Sequence, residues 1–170
     1  MLIESSKHTI RKFNTDDKNL VAEFFGQMGG ESRAFFNRND GNKNYALSFF
    51  DKCDKNGNEP NAVRFLSSVI DENGKELMTG YVFAWDMDSY IPTLGIAVRE
   101  EYKGRGLGRV LIKYLTDYLK ENKYGGVMLT TSFANVRGQS LYTRMGFKHI
   151  GTHINGELLY MLTFEKINEI

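Results

Sequence analysis

Between Lys103 and Arg109 every second residue is glycine, at positions 104, 106 and 108, and an amphipathic run begins at once. Few local structures tolerate that pattern. Glycine supplies positive φ and lets other atoms come close to the backbone, so the pattern predicts a tight turn feeding a helix start. The stretch before it, Leu94-Gly95-Ile96-Ala97-Val98, reads as a strand. A strand, a glycine turn and a helix N-terminus make an anion-binding geometry, because exposed N–H groups and about half a positive charge converge at the helix start. Lys103, Arg105, Arg109 and Lys113 add four cations over eleven residues with no acid among them. Two familiar phosphate loops do not fit. A dinucleotide fingerprint wants glycine where Arg109 stands, and a nucleotide-hydrolase loop wants Gly-Lys-Ser/Thr at its end.

The rest of the chain supports one mixed domain over residues 1–170, a length suited to a single core. Residues 8–13 alternate as a short strand. Asn14 or Thr15 can cap a helix with Asp16 and Asp17 in its first turn, and Leu20, Val21, Phe24, Phe25 and Met28 fall at helical spacing before Gly29-Gly30 stops it. A second helical region is expected over 34–50, broken by a turn at 39–42. Residues 51–61 read as a loop; its Asp54–Gly57 core fails as a calcium loop, because Lys52 and Val63 would fall at the first and last ligand positions. Three antiparallel strands follow, over 62–70, 75–85 and 93–98, with a hairpin turn at Asp71–Gly74. After the glycine loop, Val110, Leu111, Tyr114, Leu115 and Tyr118 form the expected apolar stripe of a helix. Then come a strand at 127–131, a helix at 135–145, and a closing hairpin around Asn155-Gly156. The order gives a mixed α/β (α+β) domain.

Composition removes several function classes. Lys+Arg total 22 and Asp+Glu total 21, which argues against a general nucleic-acid binder. That balance and the lack of an aromatic stacking motif on the loop count against a nucleic-acid module. No stretch approaches the ~20 apolar residues of a membrane span, and Met1–Phe13 lacks the apolar core of a signal peptide, so the expectation is a soluble, cytoplasmic protein without membrane partners. Cys53 is the single cysteine, which excludes an internal disulfide and a multi-cysteine zinc site. No metal is expected.

A second motif follows the 127–131 strand: Asn135-Val136-Arg137-Gly138-Gln139-Ser140-Leu141-Tyr142-Thr143-Arg144-Met145-Gly146-Phe147. Together with the loop it resembles the GCN5-related N-acetyltransferase (GNAT) family, whose acyl-coenzyme-A motif runs Gln/Arg-x-x-Gly-x-Gly/Ala. Gly106 and Gly108 match, with Lys103 in place of Gln or Arg. Asn135, Leu141, Tyr142, Gly146 and Phe147 match the second signature; Ser140 replaces a common alanine and Glu100 a common proline. The match is specific over residues 94–147.

The resemblance implies a mixed, mostly antiparallel central sheet flanked by helices, with a splayed strand pair that takes the pantetheine arm of acetyl-coenzyme A. The backbone of Ile96, Ala97 and Val98 would pair with it, and one N–H there would polarise the thioester carbonyl, an oxyanion contact of about 3 kcal/mol. The pyrophosphate would rest on the N–H groups of Gly104, Arg105, Gly106, Leu107, Gly108 and Arg109, with Lys103, Arg105 or Arg109 reaching phosphates and Asn135 among the donor-binding residues. Tyr142 matches the family's general acid. A phenol near pKa ~10 is a weaker acid than a thiol near ~8.5, so full transfer to a coenzyme A thiolate is uphill by about 2 kcal/mol. Asp86, Asp88, Glu100, Glu101, His149 and His153 are the candidate bases. Glu31, Ser32, Arg33, Asn37, Arg38, Asn42 and Asn44 are the candidate acceptor residues. The implied reaction is N-acetyl transfer to an amine of a small molecule or protein, by direct attack. A non-catalytic acyl-coenzyme-A sensor and an acyltransferase using another donor remain open alternatives. A homodimer is the family analogy.

Overall fold

A computed structural model describes residues 7–28 and 46–164. The β-rich run over residues 62–98 folds into β2 (Ala62–Ile70), β3 (Glu76–Trp85) and β4 (Thr93–Val98), paired antiparallel in sequence. Turn chemistry sets the first connection: Asp71 Oδ1 accepts from the N–H groups of Asn73 (2.8 Å) and Lys75 (2.9 Å), and Gly74 has φ +77°. A short first strand, β1 (Thr9–Lys12), pairs with β2, and β4 is followed by a 3₁₀ turn (Glu100–Tyr102) and helix α3 (Leu107–Glu121). Beyond it lie β5 (Gly126–Thr131), α4 (Val136–Arg144), β6 (Lys148–Thr152) and β7 (Leu158–Thr163), while α1 (Lys18–Gly26) and α2 (Phe49–Lys52) precede β2. The strands form one seven-stranded sheet ordered β1-β2-β3-β4-β5-β7-β6, antiparallel except between β4 and β5. The closing hairpin thus folds back so that its second strand, β7, lies beside β5.

Strand alternation sends side chains to two faces. Val63, Phe65, Val82, Ala84 and Leu94 pack with Leu107, Leu111, Leu115 and Leu119 of α3. Leu66, Tyr81 and Phe83 pack on the other face with Phe13, Val21, Phe24 and Phe49 from the α1–α2 side. Three elements depart from expectation. The α3 stripe is Leu107, Leu111, Ile112, Leu115 and Leu119, with Val110 and Tyr114 each 39% exposed. The helix starts three residues earlier than its first expected apolar position, and the series 107-111-115-119 forms the buried ridge. Tyr114 and Tyr118 instead edge onto Phe65 at 5.1 and 5.2 Å.

Helix α1 begins at Lys18 rather than after Asn14 or Thr15. Arg11 takes Asp17 in a two-pronged pair at 2.8 and 2.7 Å, and Asp17 also accepts from the Asn14 N–H at 2.8 Å. The ion pair outcompetes a first-turn role for that carboxylate. The helix also ends at Gly26, before Gly29-Gly30. Of the helical region expected over 34–50, residues 34–45 lie outside the described residues. The helix that follows, α2, runs to Lys52, past the expected loop start at 51.

Candidate active site

The parallel strands β4 and β5 meet at Thr93↔Met128, where the Met128 N–H donates to the Pro92 carbonyl at 2.9 Å. Beyond that point β4 stays with β3 as far as Val98, and β5 stays with β7 as far as Thr131. The two strands therefore diverge toward their C-terminal ends. Two hydrogen bonds fix which backbone groups face the opening. The Arg99 N–H donates to Thr79 on β3 at 2.8 Å, and backbone direction alternates along a strand, so Gly95 and Ala97 also address β3. Ile96 and Val98 turn their N–H and C=O groups toward the opening. By the same alternation from Met128, so does Thr130. Of the expected trio Ile96, Ala97 and Val98, the backbone of Ala97 is turned away, toward Tyr81. Residues 95–98 are only half-buried despite their place in mid-sheet.

The glycine loop lies at the mouth of this opening. Gly104 and Gly106 have φ +73° and +89°, values that L side chains rarely adopt, and Gly106 is the residue before α3. The Val110 N–H reaches back to Gly106 at 3.2 Å, which leaves the N–H groups of Leu107, Gly108 and Arg109 pointing off the helix end. Gly108 serves another purpose: a Cβ there would stand 3.1 Å from Leu141 Cδ2 on α4 and 3.9 Å from Ile96 Cδ1, so its absence lets the first turn of α3 pack against the second turn of α4.

The four loop cations are not equivalent. Lys103 pairs with Glu100 at 2.7 Å and Lys113 with Asp117 at 2.5 Å, acids just outside the acid-free window. Arg105 lies over the Tyr102 ring at 5.5 Å, and Arg109 is exposed. A fifth cation, which the sequence reading did not select, comes from α4. Arg137 Nη2 lies 3.7 Å from the point a Gly104 Cβ would occupy. Its signal in the sequence was position alone, two residues after Asn135.

Asn135 starts α4. Its Oδ1 accepts from the Gly138 N–H at 3.1 Å and its Nδ2 donates to Thr131 Oγ1 at 3.0 Å. Gly138 is needed for that cap, since a Cβ would fall 2.4 Å from Asn135 Nδ2. Asn135 thus positions the helix that carries Tyr142. Tyr142 is 7% exposed, with Phe147 and Tyr160 rings at 6.0 and 6.1 Å. Among the described residues its hydroxyl has no hydrogen-bond partner. Loss of hydration pushes its phenol up to about 12.

The candidate bases all lie on exposed positions. Asp86 and Asp88 are in the β3–β4 turn, Glu100 is tied to Lys103, and Glu101 is free to solvent on the 3₁₀ turn. His149 Nε2 is 2.8 Å from the Gly151 carbonyl oxygen, and His153 accepts a long 3.4 Å bond from Asn155. Cys53 is a half-buried free thiol on the opposite sheet face from Tyr142, beside the α2 cluster. The acceptor candidates Glu31, Ser32, Arg33, Asn37, Arg38, Asn42 and Asn44 lie outside the described residues. The sequence reading also missed an aromatic ladder on that same face, Tyr81–Phe83 at 4.4 Å and Phe83–Trp85 at 5.2 Å. Buried Arg64 braces it, pairing with Glu59 at 2.6 Å and donating to Tyr81 Oη at 2.5 Å.

Comparison with known proteins agrees with this geometry. A family model for the acetyltransferase (GNAT) family matches residues 28–147. An uncharacterized N-acetyltransferase of Bacillus subtilis, YobR, is 33% identical over 79 residues, which cover 46% of this chain and 32% of that protein. The Escherichia coli ribosomal protein bS18-alanine N-acetyltransferase is 29% identical over 84 residues, 49% of this chain and 55% of that one. Human N-acetylaspartate synthetase is 25% identical over 87 residues, 51% of this chain and 28% of that one. The matches thus span between 28% and 55% of the length of these curated relatives. Among solved structures, a Methanocaldococcus jannaschii domain superposes with a TM-score of 0.73 at 20% identity, covering 93% of this chain and 99% of its own. A Thermoplasma acidophilum PaiA N-acetyltransferase solved with coenzyme A gives 0.69 at 16% identity, covering 92% and 99%. At such identities the structural matches speak for the fold.

Proposed function

The chain belongs to the acetyltransferase (GNAT) family, and on that premise we propose that it transfers an acetyl group from acetyl-coenzyme A to a primary amine by direct attack. The observation that carries the reading is the divergence of β4 from β5 immediately before a glycine turn and a helix N-terminus. The pantetheine arm carries amide groups of its own, and Ile96, Val98 and Thr130 offer it backbone donors and acceptors. The first-turn N–H groups of α3 offer the pyrophosphate an anion site.

In the chemical step the amine lone pair attacks the thioester carbon. The developing oxyanion takes a hydrogen bond from a cleft-facing N–H of Ile96 or Val98, and the carbon–sulfur bond then breaks. The nitrogen loses its proton to solvent through water, since every candidate carboxylate and imidazole is exposed. The departing sulfur takes a hydrogen bond from Tyr142. The acceptor amine is supported in class by relatives whose names specify an alanine of a ribosomal protein and aspartate.

Two measurements test the reading. Acetyl-coenzyme A should raise the melting temperature by mass action. A panel of amines assayed for thiol release should then contain at least one acceptor with turnover above hydrolysis. No thermal shift at millimolar acetyl-coenzyme A removes the donor site. A shift without turnover on any amine favours a sensor.

A further inference from the structure

We infer that Arg137 is a phosphate-holding side chain of the donor site, supplied by α4 across the glycine loop; the inference rests on the acetyl-coenzyme A reading above. Its guanidinium stands beside Gly104, 3.7 Å from the Cβ point, where the loop presents bare backbone. The approach is built in, because the backbone of the first turn of α4 is pinned. Asn135 accepts from the Gly138 N–H at 3.1 Å, and Gln139 Nε2 donates to the carbonyls of Ser132 and Phe133 at 3.2 and 2.9 Å.

One turn further on, Leu141 meets the Gly108 position, so the same α4 face that carries Arg137 abuts the start of α3. Among the described residues Arg137 has no carboxylate partner, whereas Lys103 and Lys113 each have one. An anion lodged against the loop takes charge-assisted bonds from the N–H groups on one side and from a planar, always-charged fork on the other. Acetyl-coenzyme A brings two such groups, its pyrophosphate and its ribose 3′-phosphate.

The test titrates the full chain and its Arg137→Gln variant with acetyl-coenzyme A and with dephospho-acetyl-coenzyme A, which lacks the ribose phosphate. The variant should bind acetyl-coenzyme A about tenfold more weakly, with an unchanged melting temperature in the absence of donor. A loss shared by both donors assigns the contact to the pyrophosphate. A loss confined to acetyl-coenzyme A assigns it to the ribose phosphate. Equal affinity of variant and parent for acetyl-coenzyme A overturns the inference and leaves the donor site standing. A parent that binds no acetyl-coenzyme A overturns both.

Discussion

Replacing Tyr142 by phenylalanine separates two roles that a tyrosine can play toward a departing thiolate. The phenol sits at about 12 in the folded protein because burial disfavours its anion. A coenzyme A thiol near ~8.5 is more acidic by roughly 3.5 units, so full proton transfer to the thiolate is uphill by about 5 kcal/mol. Burial therefore widens the gap foreseen from the ordinary phenol value. A hydrogen bond to the sulfur as charge develops needs no transfer and contributes about 1–2 kcal/mol. Tyr142→Phe should thus lower kcat by about 5- to 30-fold at saturating donor.

The sign of the pH effect follows from the direction of the shift. The phenol donates while protonated, and its raised pKa moves loss of the donor upward, so no basic limb below pH 10 belongs to Tyr142. Stability should be nearly unchanged, since phenylalanine keeps the Phe147 and Tyr160 contacts and the hydroxyl it removes has no hydrogen-bond partner among the described residues. The assay is thiol release from pH 6.5 to 10 for both proteins. A basic limb below pH 10 that vanishes in the variant, or a loss beyond a thousandfold, would refute the hydrogen-bond argument in favour of proton transfer. Unchanged turnover would remove Tyr142 from the chemistry.

Two other outcomes follow from packing and burial. At Gly95 a Cβ would fall 2.3–3.0 Å from the Phe83 ring, which is stacked between Tyr81 and Trp85 and has little room to retreat. Gly95→Ala should therefore cost about 1–3 kcal/mol, or roughly 2–10 °C in melting temperature; an unshifted melting curve contradicts the stacked arrangement. His8 rests edge-on against Tyr102 at 5.5 Å, both ring nitrogens are without a partner among the described residues, and burial lowers its pKa from 6.5. The folded state thus favours the neutral ring, and stability should be kept above pH 6.5 and fall as pH drops below it. His8→Leu should flatten the melting-temperature slope between pH 5 and 7; an identical slope assigns it to other groups.

The sequence was most legible where backbone geometry is dictated by residue type. Gly104, Gly106 and the Asn135 cap announce their turns because few alternatives satisfy positive φ or an open helix end. The succession of strands and helices along the chain was legible through alternation and turn residues, and the family resemblance supplied the splaying of the strand pair, whereas the place of β7 beside β5 was not legible. Features set by partners distant in the chain were not. Asp17 reads as a helix-start acid until Arg11 is seen to claim it. The α3 stripe was misplaced because Val110 and Tyr114 also fall at helical spacing with Leu111 and Leu115, and only the sheet decides which ridge faces inward. Arg137 joins Gly104 across 33 residues of chain, and no local pattern marks that pairing. The alternate direction of Ala97 likewise needs the register with β3.

The divergence of β4 from β5 leaves the sheet as two half-sheets riveted at Thr93–Met128, with a pair of interior edges where most proteins allow none. A pantetheine arm that pairs with Ile96, Val98 and Thr130 is then a strand on loan. It mends the ladder and is itself the part that must leave after each turnover. On the proposed reading, donor binding would complete the sheet, and product release would be the withdrawal of a single extended segment from between two half-sheets that each hold together.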